Sequence, residues 1–128
     1  MEKSGKKILI IDDDNSHILA AKGILESEGY TVSTHNQSLG STVMARQLDP
    51  DLILLDMNMP GLSGDKLAQV IGRNLRSSNI PILFYSSNDE DSLRKAVVQY
   101  RFYGVKDYIC KGDSYDLRRK VARCLSEN

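Results

Sequence analysis

Five short apolar runs punctuate the chain: Lys7–Ile11, Tyr30–Thr34, Leu52–Leu55, Ile80–Tyr85 and Val105–Cys110. Four are near-continuous, as strands read when a parallel sheet is covered on both faces. The second, YTVST, alternates apolar and polar residues and predicts an edge strand. Between the runs, apolar residues recur at helical spacing. Ile18, Ala21 and Leu25 form a first stripe, opened by Asp14 and Asn15 as caps and closed at Gly29. Leu39, Val43 and Leu48 predict a second helix, ended by Pro50. Leu67, Val70, Ile71 and Leu75 predict a third, stopped before Pro81. Leu93, Ala96, Val97 and Tyr100 predict a fourth, and Leu117, Val121, Cys124 and Leu125 a fifth. Five strand–helix alternations with short connections predict a three-layer α/β fold, a parallel five-stranded sheet with right-handed crossovers. No repeat or internal linker interrupts them. Residues 1–128 therefore read as a single domain with its core over about 7–125.

Composition changes this picture little. Apolar residues make up 41% and charged residues 27%, the balance of an ordinary globular protein. Seventeen basic and seventeen acidic side chains cancel, so no global field points to nucleic acid or to an anionic membrane. The basic cluster Arg118, Arg119, Lys120 and Arg123 on the last helix reads as a solvated face, without a recognition-helix pattern. The apolar stretch near the start, Ile8 to Ile11, is too short for a signal-peptide core or a membrane span, so the expected location is cytoplasmic. Cys110 and Cys124 form no CxxC pair and read as reduced thiols.

The polar residues that break the apolar pattern collect at strand ends. Asp12, Asp13 and Asp14 follow strand one, Asp56 strand three, Ser86 and Ser87 strand four, and Lys111 strand five. In a parallel sheet these carboxyl ends share one edge, and ligands bind there where the strand order reverses. In the order 2-1-3-4-5 the reversal falls between strands one and three, which carry the aspartates. Neighbouring strands lie about 4.8 Å apart. Carboxylates that close repel, so one must take a proton or a cation must bind. Hard oxygen ligands in an open site suit Mg²⁺, which would leave Asp56 as an oxygen nucleophile for a phosphoryl group. Ser86 could donate a hydrogen bond to that group and Lys111 could balance its charge. Each residue also has a plain structural role to weigh. Asp14 alone reads as the cap of the first helix. A cap needs one residue, however, which leaves Asp12 and Asp13 together unexplained, and turn residues rather than a helix follow Asp56.

The segments ILIIDDD, LILLDMNMPGLSG, PILFYSS and YICKG resemble, in order and spacing, the signature segments of receiver domains of two-component response regulators. The resemblance spans Lys7 to about Leu125, and DMNMPGLSG is its most specific part. It implies the flavodoxin-like, CheY-like form of the fold and a signalling switch, not an enzyme acting on a separate substrate. Asp56 would be the phosphoacceptor, and Asp12, Asp13, Asp56 and the backbone carbonyl of Asn58 would hold Mg²⁺. Ser86 would be the switch hydroxyl, Tyr108 the switch aromatic and Lys111 the charge partner of the phosphate. Gly61 and Gly64 would shape the loop after Asp56. A sensor histidine kinase or phosphotransfer protein would supply the phosphoryl group, and the domain would catalyse its own phosphorylation and dephosphorylation. The face of helix four, strand five and helix five would then change shape for a downstream protein or a second copy.

Three features depart from the pattern that resemblance implies. Gly112 stands where family members carry proline, leaving open a cis Lys111–Gly112 bond or a trans bond with a rearranged loop. The stretch VVQYRFYG lengthens the end of helix four, where Arg101, Phe102 and Tyr103 offer either a partner contact or an extended helix end. Tyr85 is bulky where a small aliphatic residue is common. Two rival readings follow from the same residues. The D-x-D of Asp12 and Asp14 is that of a haloacid-dehalogenase-type phosphohydrolase, and the altered Lys-Gly loop fits a phosphorylation-independent binding module.

Overall fold

The computed structural model describes residues 5–75 and 79–126. Its elements follow one another as β1 (Lys7–Ile11), α1 (Asn15–Ser27), β2 (Thr31–His35), α2 (Ser41–Leu48), β3 (Leu52–Asp56) and α3 (Gly64–Asn74). Then come β4 (Ile82–Ser86), α4 (Glu90–Tyr100), a 3-10 turn (Arg101–Tyr103), β5 (Val105–Cys110) and α5 (Ser114–Ser126). The five strands are parallel, as the sequence pattern predicts, and stand in the order β2-β1-β3-β4-β5 that the resemblance implies.

Successive side chains of a strand point to opposite faces, and that period builds the two halves of the core. Ile8, Ile10, Leu52, Leu54 and Leu83 pack against Ile18, Ala21 and Leu25 of α1 and Leu117, Val121 and Leu125 of α5. Leu9, Ile11, Ile53, Leu55 and Phe84 face the other way, onto Ala45, Leu67, Ile71, Ala96 and Val97 of α2, α3 and α4. Bulky Tyr85 is buried on the α1/α5 side.

Two elements differ from the sequence reading. Leu39 precedes α2 and is exposed, and Val43 on α2 is exposed as well. The helix fully buries small Ser41 and Ala45, a spacing that a search for large apolar residues does not see, while Met44 and the expected Leu48 pack partly buried against the same core. Strand β5 buries only Val105 and Ile109 fully, because it is an edge strand like β2. The extended end of α4 is a 3-10 turn that docks on α3. A Cβ at Gly72 would overlap the carbonyl oxygen of Tyr103, so glycine at that position permits the contact. Tyr103 is therefore an internal contact, while Phe102 beside it is exposed.

Candidate functional site

The carboxyl ends of β1, β3, β4 and β5 deliver four polar side chains to one edge of the sheet. Asp12 directly follows β1, Asp56 and Ser86 are the last residues of β3 and β4, and Lys111 directly follows β5. Asp12, Asp56 and Ser86 are almost fully buried. Asp13 is exposed, yet oxygens of Asp12, Asp13 and Asp56 lie within 4.8 Å of one another.

Lys111 reaches into this acidic cluster. Its Nζ lies 2.9 Å from Asp12 Oδ2 and 3.3 Å from Asp56 Oδ1. Asp12 Oδ1 accepts the Asp14 N–H at 2.9 Å. Asp12 Oδ2 has no well-directed hydrogen bond among the described residues; the nearby ammonium meets it as an ion pair only. Burial, with the Asp12 charge adding to it, pushes the Asp56 carboxyl up to about 7, although the Asn58 N–H and Lys111 pull the other way. Burial alone would lower the Lys111 pKa, but the two carboxylates override it and hold the ammonium above its ordinary value.

The Lys111–Gly112 peptide is trans. Gly112 sits at φ +92°, a left-handed conformation that glycine takes without strain, so the chain turns sharply after the lysine and still aims it inward. That decides the alternative left open by the sequence.

A second polar group flanks the carboxylates. Ser86 Oγ accepts from Asn58 Nδ2 at 3.2 Å and from the Asn88 N–H at 3.1 Å, and Asn58 Nδ2 also donates to Asn88 Oδ1 at 2.7 Å. The Asn58 N–H donates to Asp56 Oδ1 at 3.2 Å. Gly64 makes the loop after Asp56 close-fitting, since a Cβ there would overlap the Asp56 carbonyl oxygen. Gly61 takes φ +87° in the same loop. Asp14 lies outside this group. Its side chain caps α1, accepting from the Ser16 and His17 N–H groups.

A profile of the response regulator receiver domain matches residues 8–122. The chain belongs to that family. This receiver domain is 29% identical over 105 residues to the PilH protein of Pseudomonas aeruginosa, spanning 82% of this chain and 84% of PilH. It is 34% identical over 121 residues to the phosphate regulon transcriptional regulatory protein PhoB of the same organism, spanning 93% of this chain and 50% of PhoB. The receiver domain thus spans about half the length of PhoB, and less of several other curated relatives. A CheY-like response regulator receiver domain protein from Methanospirillum hungatei superposes with a TM-score of 0.82 at 26% identity, over 95% of this chain and 94% of that one. Receiver domains are signalling switches that interact with histidine kinases or phosphotransfer proteins. Among the described residues, no helix of this receiver domain is long and apolar enough to cross a membrane.

Tyr108, the aromatic singled out on β5, is half-buried at the surface between α4 and α5. Its hydroxyl donates to Glu90 Oε1 at 3.0 Å, and the Lys120 ammonium lies 4.1 Å from its ring centre. The basic cluster on α5 is not a uniformly solvated face. Lys120 is buried, donates to the Tyr108 carbonyl at 2.7 Å and pairs with Asp107 and Asp116. Arg123 pairs with Asp107, Arg119 with Asp116 and Arg118 with Glu28. The signal for Lys120 was present in the sequence: it stands three residues after Leu117 and four before Cys124, within the buried stripe. Cys124 is buried and Cys110 half-buried, and neither forms a disulfide.

Proposed function

We propose that this receiver domain, read as one domain over residues 1–128, is a phosphorylation switch that accepts a phosphoryl group on Asp56 with the help of Mg²⁺. The observation that carries this reading is the buried carboxylate cluster, with one Asp12 oxygen lacking a directed hydrogen bond and Asp56 held near neutrality. Three carboxylates crowded together are costly, and the single Lys111 ammonium offsets only part of their charge, which leaves room for a further cation. Hard oxygen ligands beside an open, water-accessible acid (Asp13) fit Mg²⁺. Asp12, Asp13, Asp56 and the Asn58 carbonyl would hold it. When bound, the ion neutralises charge on the incoming phosphoryl group and keeps Asp56 ionised.

The chain's own residues do the rest. An Asp56 oxygen attacks phosphorus of a histidine-kinase, phosphotransfer-protein or small-molecule donor. The new Asp56 oxygen–phosphorus bond forms as the donor's bond to phosphorus breaks, and the donor leaves with that electron pair. Both lone pairs of Ser86 Oγ are engaged by Asn58 and Asn88, which leaves its O–H free to donate to the transferred group. Lys111 would give its charge to a phosphoryl oxygen, a reading supported by its position beside both carboxylates. Water later hydrolyses the acyl phosphate in the same site.

The output is a population shift. Tyr108 is tied to the first turn of α4 through Glu90 and lies against α5 through Lys120. Movement of Ser86 toward the phosphoryl group would alter the β4–α4 loop, whose Asn88 N–H donates to Ser86 Oγ, and with it the α4–β5–α5 face offered to a downstream protein or a second copy. Incubation with Mg²⁺ and acetyl phosphate tests the reading. The protein should gain one phosphoryl mass, the Asp56→Ala variant none; no gain with several donors would defeat it.

A further inference from the structure

Away from the carboxylate site, large apolar side chains stand exposed where α2 meets α3. Leu39 is 80% exposed, Val43 53% and Val70 38%. Together with Gly61, Leu62 and Leu67 they line an open groove of about 440 Å³. Folding does not account for them, because α2 packs through Ser41, Ala45, Met44 and Leu48 and α3 through Leu67, Ala68 and Ile71. Clustered apolar exposure of this kind marks an interaction surface, whereas single exposed residues do not.

The charges around the groove say what would cover it. On α2, Arg46 follows Val43 by three residues; on α3, Lys66 precedes Val70 by four and Arg73 follows it by three. Side chains at those spacings are neighbours on a helix surface. All three cations are exposed, and none makes an ion pair among the described residues. Elsewhere the helices pair theirs: Lys22 with Glu26, Arg94 with Glu90, Lys95 with Asp91, and the α5 cations as described. The nearby acid on α3, Asp65, is occupied by the Ser63 and Tyr100 hydroxyls.

We infer that the α2–α3 groove docks an acidic amphipathic helix of a partner protein. A helix lying in a groove between two helices presents apolar anchors at i, i+3 or i+4 and i+7, here toward Leu39, Val43 and Val70. Acidic residues flanking those anchors meet Arg46, Lys66 and Arg73, which gives orientation and a faster encounter. The groove also touches the loop after Asp56: Gly61 and Leu62 line it, and Ser38 Oγ donates to the Pro60 carbonyl at 3.4 Å. Docking itself does not require phosphorylation and stands apart from the proposal for Asp56.

Titration of the ¹⁵N-labelled full chain with two synthetic helical peptides tests this. Both carry leucine at the anchor spacing, one with glutamate and the other with lysine at the remaining positions. The glutamate peptide should give saturable amide shifts centred on residues 39–46 and 61–73, weakening as salt is raised, and the lysine peptide should not. The triple variant Arg46→Glu, Lys66→Glu, Arg73→Glu should bind the glutamate peptide about tenfold or more weakly. The double variant Val43→Ser, Val70→Ser should abolish the shifts with unchanged circular dichroism, since both side chains are exposed. Absence of saturable shifts, shifts centred on α4 or α5, or equal binding of both peptides would overturn the proposal. Binding of phosphatidylserine vesicles through the same amides, with no response to the peptide, would overturn it in favour of a membrane surface.

Discussion

The Lys111 ammonium stands 2.9 Å from Oδ2 of Asp12, an oxygen with no other close partner among the described residues. The lysine is thus the internal counter-ion of the acidic cluster, reaching it across a trans peptide to Gly112. A cation binding among the carboxylates would take over part of that role and release the ammonium for another anion.

Removing this counter-ion should therefore matter most when no metal is present. Lys111→Met leaves two buried carboxylates without their ammonium and is expected to cost about 2–4 kcal/mol of folding stability in chelator. Urea denaturation with and without Mg²⁺ checks it. Added Mg²⁺ should recover most of the loss, and an equal loss in both conditions would mean that the metal does not bind among these side chains.

Asp56 gives the protein a pH signature. Its folded pKa, about 7, lies above the ordinary carboxylate value of 3.8, so the folded state holds the proton more tightly than the unfolded chain does. The associated stability is complete below about pH 4 and is lost as pH rises through about 7. In chelator at pH 8, Asp56→Asn should be more stable than the parent by up to about 4 kcal/mol. At pH 4 the difference should vanish, as thermal melts across the range would show. Mg²⁺ should stabilise the parent more at pH 8 than at pH 5, because ion and proton compete for the same oxygens.

The glycines separate close packing from turn geometry. Gly64→Ala and Gly72→Ala each force a Cβ into backbone carbonyls, of Asp56 and Tyr103 respectively, and should cost more than about 3 kcal/mol. Gly112→Ala meets open space and carries only the strain of its positive φ, about 1 kcal/mol. Chemical denaturation of the three variants should give this order.

The hydroxyl of Ser86 should be dispensable for folding yet needed for signalling. With beryllium fluoride and Mg²⁺ as a phosphoryl mimic, amide resonances of α4, β5 and α5 should shift in the parent. They should shift far less in Ser86→Ala, and a full response in that variant would remove Ser86 from the switch.

Much of this architecture was legible in the sequence, for definite reasons. Near-continuous apolar runs ending in Asp12, Asp56 and Ser86 point to a parallel sheet, and with Lys111 after the more polar edge strand β5 they point to the edge where these residues meet. What escaped depended on contacts between elements. Of the large residues Leu39, Val43 and Leu48 that the pattern assigns to the packing of α2, Leu48 packs against the core, while small Ser41 and Ala45 take the buried places expected of the other two. The stripe position of Lys120 marks it as facing inward, but its partners, the Tyr108 carbonyl and Asp107, are brought by β5 and carry no signal along α5. The Asn58–Asn88 bridge over Ser86 joins residues thirty positions apart, and no local signal announces it.

The most direct test of the central claim locates the phosphoryl group chemically. Borohydride reduces an acyl phosphate to an alcohol, turning a phosphorylated aspartate into homoserine. After treatment with acetyl phosphate and then borohydride, peptide mass mapping should find homoserine at position 56 only, and only when Mg²⁺ was present. Homoserine at position 12, or none at 56 with Mg²⁺ present, would contradict it.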